Sequence, residues 1–500
     1  MDNKKILELQ KMSPAELLKA IRESKINKTK NIVTQDEYEQ YISSLWREIF
    51  PQADIDIHTD FFSLGGTSLQ AVLMLSKFKA KYDIEFDLVE LFKATTIELQ
   101  AKLVRDRFAN NRQKTVDFDY RKDLQLVEQL VLNNVKPFDH NIRSIFLTGA
   151  SGFLGVHLLK ECLEQTHAEI FCIIRGSSKD EAKKRLLECA REKKIDINTA
   201  EEKRIHCLCG DISRQKLGLS DDDYTYVTQS MDLIIHSAAV VNFVYPYENL
   251  RDANVLSLYE LMKVASTNKI KPLHFVSTIG VFNSQFDGQL EINESMSLPE
   301  EAPTNGYFQT KWVCEKMCEI GIQKGLPISI YRPSGITIHT KSQVTSSDDL
   351  TFLFMKLSMK IGGFVNLNSI VDVVPVDFVA RSIIDLSIKY PCDNNKYHLV
   401  SGETLSPRDL IEKLPKSKSI KLLTVEEYIE NAMQVIADTD DIHLKNLAPL
   451  FISNFLSKNV MAKMPVFKSM ITQTKLTKTE IPHIRNTLLL IIYKLAHMKE

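Results

Sequence analysis

The stretch that most constrains this chain is Thr148-Gly149-Ala150-Ser151-Gly152-Phe153-Leu154-Gly155. Ser144 to Leu147 just before it form a short apolar run, the pattern of a strand buried on both faces. Val156 to Leu163 just after it carry a helical pattern. Strand, glycine-rich turn and helix in that order open a dinucleotide-binding sheet. Gly149 permits the tight turn, Gly152 lets the backbone approach a pyrophosphate, and Gly155 lets the helix pack on the strand. The helix N-terminus then offers free N–H groups and the positive end of its dipole to phosphates. Thr148, Gly149, Ser151, Gly152, Phe153, Leu154 and Gly155 are thus candidate cofactor-binding residues. The spacing is GxxGxxG rather than GxGxxG, so the flanking strand and helix carry the reading more than the glycines do.

From Asn141 onward strands and helices alternate, which predicts a Rossmann-type, doubly wound parallel sheet. The second strand, Glu169 to Ile174, ends at Arg175. Where an NAD site holds the ribose 2′-hydroxyl with a carboxylate, a guanidinium suits a 2′-phosphate, and Arg185 can add a second cation. A third strand, Ile205 to Leu208, leads to Asp211 and Ile212, on the adenine side. A fourth, Asp232 to Ile235, leads through His236, read as structural, to the small residues Ser237, Ala238 and Ala239, which admit the cofactor. The fifth, His274 to Thr278, is followed by Tyr307 and Lys311, four apart on one helix face. An ammonium beside a phenol favours phenolate, so Lys311 is expected to lower the Tyr307 pKa and make Tyr307 a proton donor near neutral pH. Thr278 can hydrogen-bond the same substrate oxygen.

Length and charge bound the rest. A chain of 500 residues has room for two or three domains. Its formal net charge of -1 gives no sign of a nucleic-acid binder. The eight cysteines include no CxxC pair, and several lie in strand-like runs as reduced core thiols, so no metal site is expected. The N-terminus has no apolar signal core, and the run Leu488 to Tyr493 is too short to span a bilayer. The expectation is a soluble, cytoplasmic protein without membrane partners.

Residues 1–35 hold eight basic and four acidic residues and read as a helical linker. Residues 36–108 reverse the sign, with eight basic against thirteen acidic residues. Four helices are predicted there: Asp36 to Phe50, Ser68 to about Lys81, Leu88 to Phe92, and Thr96 to Val104, the size of a small all-α bundle. The loop before the second helix reads Asp60-Phe61-Phe62-Ser63-Leu64-Gly65-Gly66-Thr67-Ser68-Leu69. This resembles the attachment motif of the peptidyl carrier domains of nonribosomal peptide synthetases. The resemblance implies that Ser68 carries 4′-phosphopantetheine, and a serine at a helix N-cap, hydroxyl exposed, suits a phosphodiester. Residues 109–141 are polar and read as an interdomain linker.

The order of glycine turn, Ser277-Thr278 strand end and Tyr307/Lys311 helix resembles the active site of extended short-chain dehydrogenases/reductases. Val241 to Tyr247, Ala253-Asn254-Val255, Gly306 to Trp312, Tyr331 to Ile336 and Val371 to Asp377 narrow the likeness to its thioester reductase branch, over about residues 142–410. The likeness implies that Asn254, Pro333, Ser334 and Ile336 lie at the cofactor. Ser334-Gly335-Ile336 departs from the Gly-Arg-Ile of many members. Residues 142–500 then form the reductase domain, with a helix-rich substrate subdomain mainly in 400–500.

The combined resemblance implies a carrier–reductase didomain using NADPH. It would release a carrier-bound acyl or peptidyl thioester as an aldehyde, or further as an alcohol. Thr278, Tyr307 and Lys311 would be catalytic, with Lys311 also holding the nicotinamide ribose. No adenylation signature precedes the carrier, so an upstream adenylating or peptide synthetase protein would deliver the acyl group and a phosphopantetheinyl transferase would load Ser68. A non-redox cyclising release domain on the same fold, and a carrier and docking module without catalysis, are the alternative readings; Tyr307 argues against the first and the intact Gly149, Thr278, Tyr307 and Lys311 against the second.

Overall fold

The apolar runs in the middle of the chain become a seven-stranded, wholly parallel sheet. The structure is a computed structural model, and it describes residues 36–51, 53–61, 63–64, 74, 77–78, 81–82, 94–113, 119–132, 135–243, 245–282, 291–367, 372–412, 414, 420–452, 465–476 and 479–497. The chain divides into two compact units, Met1–Asp117 and Phe118–Glu500.

In the first unit helix α1 (Glu37–Ile49) starts at Asp36, whose side chain accepts from the Glu39 N–H at 2.9 Å. Helix α2 (Ile97–Gln113) packs against it, and the Trp46 indole donates to Gln100 Oε1 at 3.0 Å inside the contact. Phe61, the first phenylalanine of the attachment loop, is fully buried with its ring 5.1 Å from that of Trp46. The loop is therefore moored to the core by its own aromatic residue. Gly65, Gly66 and Ser68, the predicted helix Leu88 to Phe92, and most of the predicted helix Ser68 to Lys81 lie outside the described residues.

The second unit opens with α3 (Arg121–Glu128), inside the stretch that reads as an irregular linker. At eight residues, with only Asp123 and Val127 buried, it is too short to show an apolar stripe in the sequence. There follow β1 (Ser144–Thr148), α4 (Phe153–Gln165), β2 (Glu169–Ile174), α5 (Lys179–Glu192), β3 (Ile205–Cys209), α6 (Asp221–Ser230), β4 (Leu233–His236), α7 (Ser257–Ser266), β5 (Leu273–Val276), α8 (Gly306–Gln323), β6 (Ile328–Pro333), α9 (Leu350–Ile361), α10 (Val376–Lys389), β7 (Lys396–Leu399), α11 (Val425–Asp438) and α12 (Ile484–His497). The strand order is β7-β6-β5-β4-β1-β2-β3.

The strands are apolar throughout because both faces are covered. Phe146, Phe171, Ile234 and Phe275 point into one core with α7 and α8. Ile145, Leu147, Ile170 and Ile235 point into the other with α4 and α10. A third cluster joins Phe352, Met355, Phe364 and Val373 to Leu405, Leu410, Leu488 and Ile491. Residues beyond 400 thus share their core with α9 and its neighbours.

Candidate active site

The strand order reverses at β1, which has β2 on one side and β4 on the other. Ligands of such sheets bind in the crevice at the carboxyl ends of the strands beside that reversal. The glycine turn after β1 and the loop after β4 meet there. Gly149 has φ +78, and a Cβ on it would stand 2.7 Å from the Ala238 nitrogen. A Cβ on Gly155 would stand 1.8 Å from the Gly149 oxygen, so only glycine seats α4 this close to the turn. Gly152 caps α4 without a side-chain acceptor, which leaves first-turn N–H groups uncapped by the protein.

One cleft of about 1290 Å³ is lined by Gly149, Ser151, Gly152, Phe153, Leu154, Gly155, Arg175, Arg185, Asp211, Ile212, Ser237, Ala238, Ala239, Thr278, Tyr307, Lys311, Pro333, Ser334 and Ile336. Two predicted residues stand behind it instead. Thr148 is fully buried; its hydroxyl shares a 2.7 Å hydrogen bond with His236 Nδ1 and accepts from the Ala238 N–H at 3.3 Å. Asn254 is buried in a single π-helical turn. It accepts from the Val240 N–H at 2.7 Å and donates to the Val240 oxygen at 3.0 Å and to Thr310 Oγ1 at 3.1 Å. Both brace the loop after β4. His236 is structural: it is fully buried, and burial lowers its imidazole to about 3.

On the adenine-ribose side Arg175 is exposed at the end of β2, and Arg185 Nη1 donates to the Arg175 carbonyl at 3.2 Å. The Asp211 carboxylate accepts from the Ser213 N–H at 3.0 Å and from its hydroxyl at 2.7 Å.

At the other end, α8 begins at Asn305. Its side-chain oxygen accepts from the N–H groups of Tyr307 and Phe308 at 3.0 and 3.3 Å, while its Nδ2 donates to the Phe243 carbonyl at 2.6 Å. One side chain thus fixes the first turn of α8 and the loop beside it. The Tyr307 ring meets Phe243 edge-on at 5.4 Å, and its hydroxyl has no hydrogen-bond partner among the described residues. Thr278 is half-buried, and its hydroxyl accepts from the Gly280 N–H at 3.1 Å. Lys311 Nζ donates to the Val276 carbonyl at 2.8 Å and lies 4.7 Å over the Phe275 ring.

The protonation expectation needs correction here. Burial pushes the Tyr307 phenol up, not down, and lowers Lys311 to about 8. Each charged form is disfavoured by the low dielectric, and the lysine is engaged with a strand-end carbonyl instead of the phenol. Tyr307 therefore stands as a neutral phenol with its proton in place.

Beneath these residues lies a buried network that the sequence reading did not single out. Ser277 donates to Glu315 Oε1 at 2.6 Å, and Arg332 donates to the same carboxylate through Nε at 3.0 and 3.1 Å and Nη2 at 2.5 Å. The Glu315 and Arg332 side chains are both 0% exposed. The signal in the chain was a glutamate four residues beyond Lys311, on the face α8 turns inward. Also missed was the cleft's other wall, which includes Asp349, Leu353, Phe354, Phe364, Tyr428 and Leu450.

Comparison with known proteins agrees with this geometry. A family described as Male sterility protein, an NAD-binding family, matches residues 147–383, and one described as Phosphopantetheine attachment site matches residues 40–104. A component of the linear gramicidin synthase of Brevibacillus parabrevis is 30% identical over 428 residues, 84% of this chain and 8% of that protein. The L-2-aminoadipate reductase large subunit of Candida glabrata is 30% identical over 397 residues, 72% of this chain and 28% of that protein. The chain thus spans less than a third of the length of either curated relative. The crystal structure of the terminal R domain from the myxalamid PKS-NRPS biosynthetic pathway superposes with a TM-score of 0.69 and 30% identity, over 76% of this chain and 98% of that one. The fold and site define an extended short-chain dehydrogenase/reductase preceded by a carrier domain. The chain belongs to the carrier-linked thioester reductase family, the terminal reductases of nonribosomal peptide synthetases and their kin.

The family brings two cofactors, 4′-phosphopantetheine on the carrier and a nicotinamide nucleotide in the reductase. The cleft fits the nucleotide. Gly149 and Gly155 let the turn, α4 and the loop after β4 approach closer than any Cβ would allow, the first turn of α4 has no side-chain cap, and the cleft's cations are Arg175, Arg185 and Lys311 among the described residues. The Ser334 hydroxyl is buried and has no hydrogen-bond partner among the described residues. Among the described residues no helix is long and apolar enough to cross a membrane.

Proposed function

We propose that the protein holds an acyl or peptidyl group as a thioester on the phosphopantetheine thiol of Ser68 and releases it by NADPH-dependent reduction to an aldehyde, with a second reduction giving the alcohol. The observation that carries this reading is the Tyr307 hydroxyl, without a hydrogen-bond partner among the described residues, in the same cleft as Thr278 and the glycine turn. When bound, NADPH supplies a hydride to the thioester carbonyl carbon. The Thr278 and Tyr307 hydroxyls donate hydrogen bonds to the carbonyl oxygen as negative charge builds there, and the Tyr307 proton passes to it; the hemithioacetal so formed then gives up its hydroxyl proton, its C–S bond breaks, and the aldehyde and the free phosphopantetheine thiol separate. Lys311, tied to the end of β5, holds the nicotinamide ribose. The glycine turn and the first turn of α4 take the pyrophosphate. Arg175 and Arg185 take the 2′-phosphate and select NADPH over NADH.

The substrate arrives from an upstream adenylating or peptide synthetase protein, and a phosphopantetheinyl transferase loads Ser68 from coenzyme A. This places the protein in the cytoplasm, where coenzyme A and NADPH are available. Incubation with coenzyme A and a broad transferase should add the mass of one phosphopantetheine arm, and Ser68→Ala should gain none. Acyl-pantetheine thioesters should then drive NADPH oxidation in a single turnover, with aldehyde identified by mass. Product release without NADPH oxidation would overturn the reading.

A further inference from the structure

Past Tyr307 and Ser334 the same cleft has a second wall, built from α9, the short strand Gly363–Val365, α11 and the segment around Leu450. Its side chains are Leu353, Phe354, Phe364, Val365, Tyr428 and Leu450. A largely apolar wall of this kind, interrupted by a few polar groups, suits an apolar ligand. The polar atoms in this wall are turned on one another. The Ser358 and Tyr428 hydroxyls share a 2.8 Å hydrogen bond. The Asp349 carboxylate accepts from the Phe352 N–H at 3.1 Å, from Thr345 Oγ1 at 2.8 Å and from Thr337 Oγ1. The Asp372 carboxylate accepts from the N–H groups of Ser401 and Gly402 at 3.1 and 3.3 Å. Among the described residues no lysine or arginine lines this half, all the cleft's cations standing on the nucleotide side.

We infer that the group reduced here ends in an uncharged apolar chain, aliphatic or aromatic, and that this wall selects against acyl groups carrying a carboxylate or an ammonium. The inference rests on the reductase reading above and names its substrate class. A substrate carboxylate in this half would lie near Asp348, Asp349 and Asp372 without a lysine or arginine counter-charge among the described residues, which is costly away from water. A substrate ammonium would find Asp349 and Asp372 already committed to donors of the protein and Asp348 turned to water, its side chain 82% exposed.

The test uses the full chain with three pantetheine thioesters of one six-carbon length and different ends: hexanoyl, adipoyl and 6-aminohexanoyl. NADPH oxidation and the aldehyde mass are read for each. Hexanoyl should exceed both charged analogues in kcat/KM by about a hundredfold. Along a straight aliphatic series from butanoyl, kcat/KM should rise about fourfold per methylene until the cavity is filled. Phe354→Arg, at a half-buried wall position, should raise adipoyl and lower hexanoyl turnover while leaving the NADPH Kd unchanged. Equal or better use of adipoyl or 6-aminohexanoyl by the unmodified protein overturns the inference and leaves the reductase reading standing. If none of the three oxidises NADPH, the reductase reading fails and takes the inference with it.

Discussion

The two halves of the cleft are built from different materials. The nucleotide half is made of backbone: a left-handed Gly149, a helix start without a side-chain cap, and small residues after β4. The acyl half is made of side chains, gathered from α9, the strand Gly363–Val365, α11 and Leu450. Backbone recognition tolerates little change, because a Cβ at Gly155 would collide with the turn itself. Side-chain recognition can be rewritten residue by residue. A reductase that must keep one cofactor while serving many possible acyl groups gains from this division. Tyr307, Thr278 and Lys311 sit at the seam, and the Glu315–Arg332 pair lies under it.

The largest effect should come from removing that floor. Glu315→Gln leaves Arg332 buried without its counter-charge, and breaking a buried pair this way costs roughly 3–5 kcal/mol of stability. Urea unfolding followed by tryptophan fluorescence should show it, and both halves should fail together. An unchanged midpoint would mean the pair does not support the seam.

Tyr307→Phe should separate chemistry from binding. It removes only the hydroxyl, so kcat should fall by about 10²–10³ with the NADPH Kd and the thioester KM little changed. Wild-type turnover in a single-turnover assay would remove Tyr307 from the proton-donor role.

Arg175→Ala should touch the nucleotide half alone. Losing one charge-assisted contact should raise the NADPH KM by some tens-fold, leave NADH use little altered and leave the acyl preference as it was. Equal use of NADPH and NADH by the unmodified protein would show that Arg175 does not read the 2′-phosphate.

The smallest effect is a pH dependence. Burial holds Lys311 at about 8, so its ammonium is present below that pH and is lost above it. NADPH affinity should therefore weaken a few-fold as pH rises through about 8, while hexanoyl over adipoyl selectivity stays flat. A titration of NADPH binding from neutral to alkaline pH reads this directly, and a flat curve would show that the Lys311 charge does not contribute.

The nucleotide half was legible in the chain because its chemistry is local. Strand, glycine turn and helix are contiguous, and each dictates its own backbone, so Gly149, Gly152 and Gly155 point to a phosphate cradle before any packing is known. The ends of β2, β3, β4 and β5 were placed by the same alternation, and all converge on one edge of the sheet because every strand is parallel. The Tyr307/Lys311 spacing likewise fixes one helix face. Thr148 and Asn254 look like cofactor contacts in sequence, yet packing turns them inward to hold the loop after β4. Helix α3 went unread because its Leu124/Val127 face is only two turns long and is set in a polar stretch.

What only the tertiary structure decided is which apolar side chains face a cavity and which charges survive burial. Leu353, Phe364 and Leu450 have the same composition as any core residue, and nothing along the chain distinguishes a wall from an interior. The distinction arises when segments nearly a hundred residues apart close around an unfilled space. The protonation of Tyr307 and Lys311 was settled the same way. In sequence the lysine stabilises a phenolate, but once both groups are enclosed burial disfavours both charged forms, and the phenol keeps its proton.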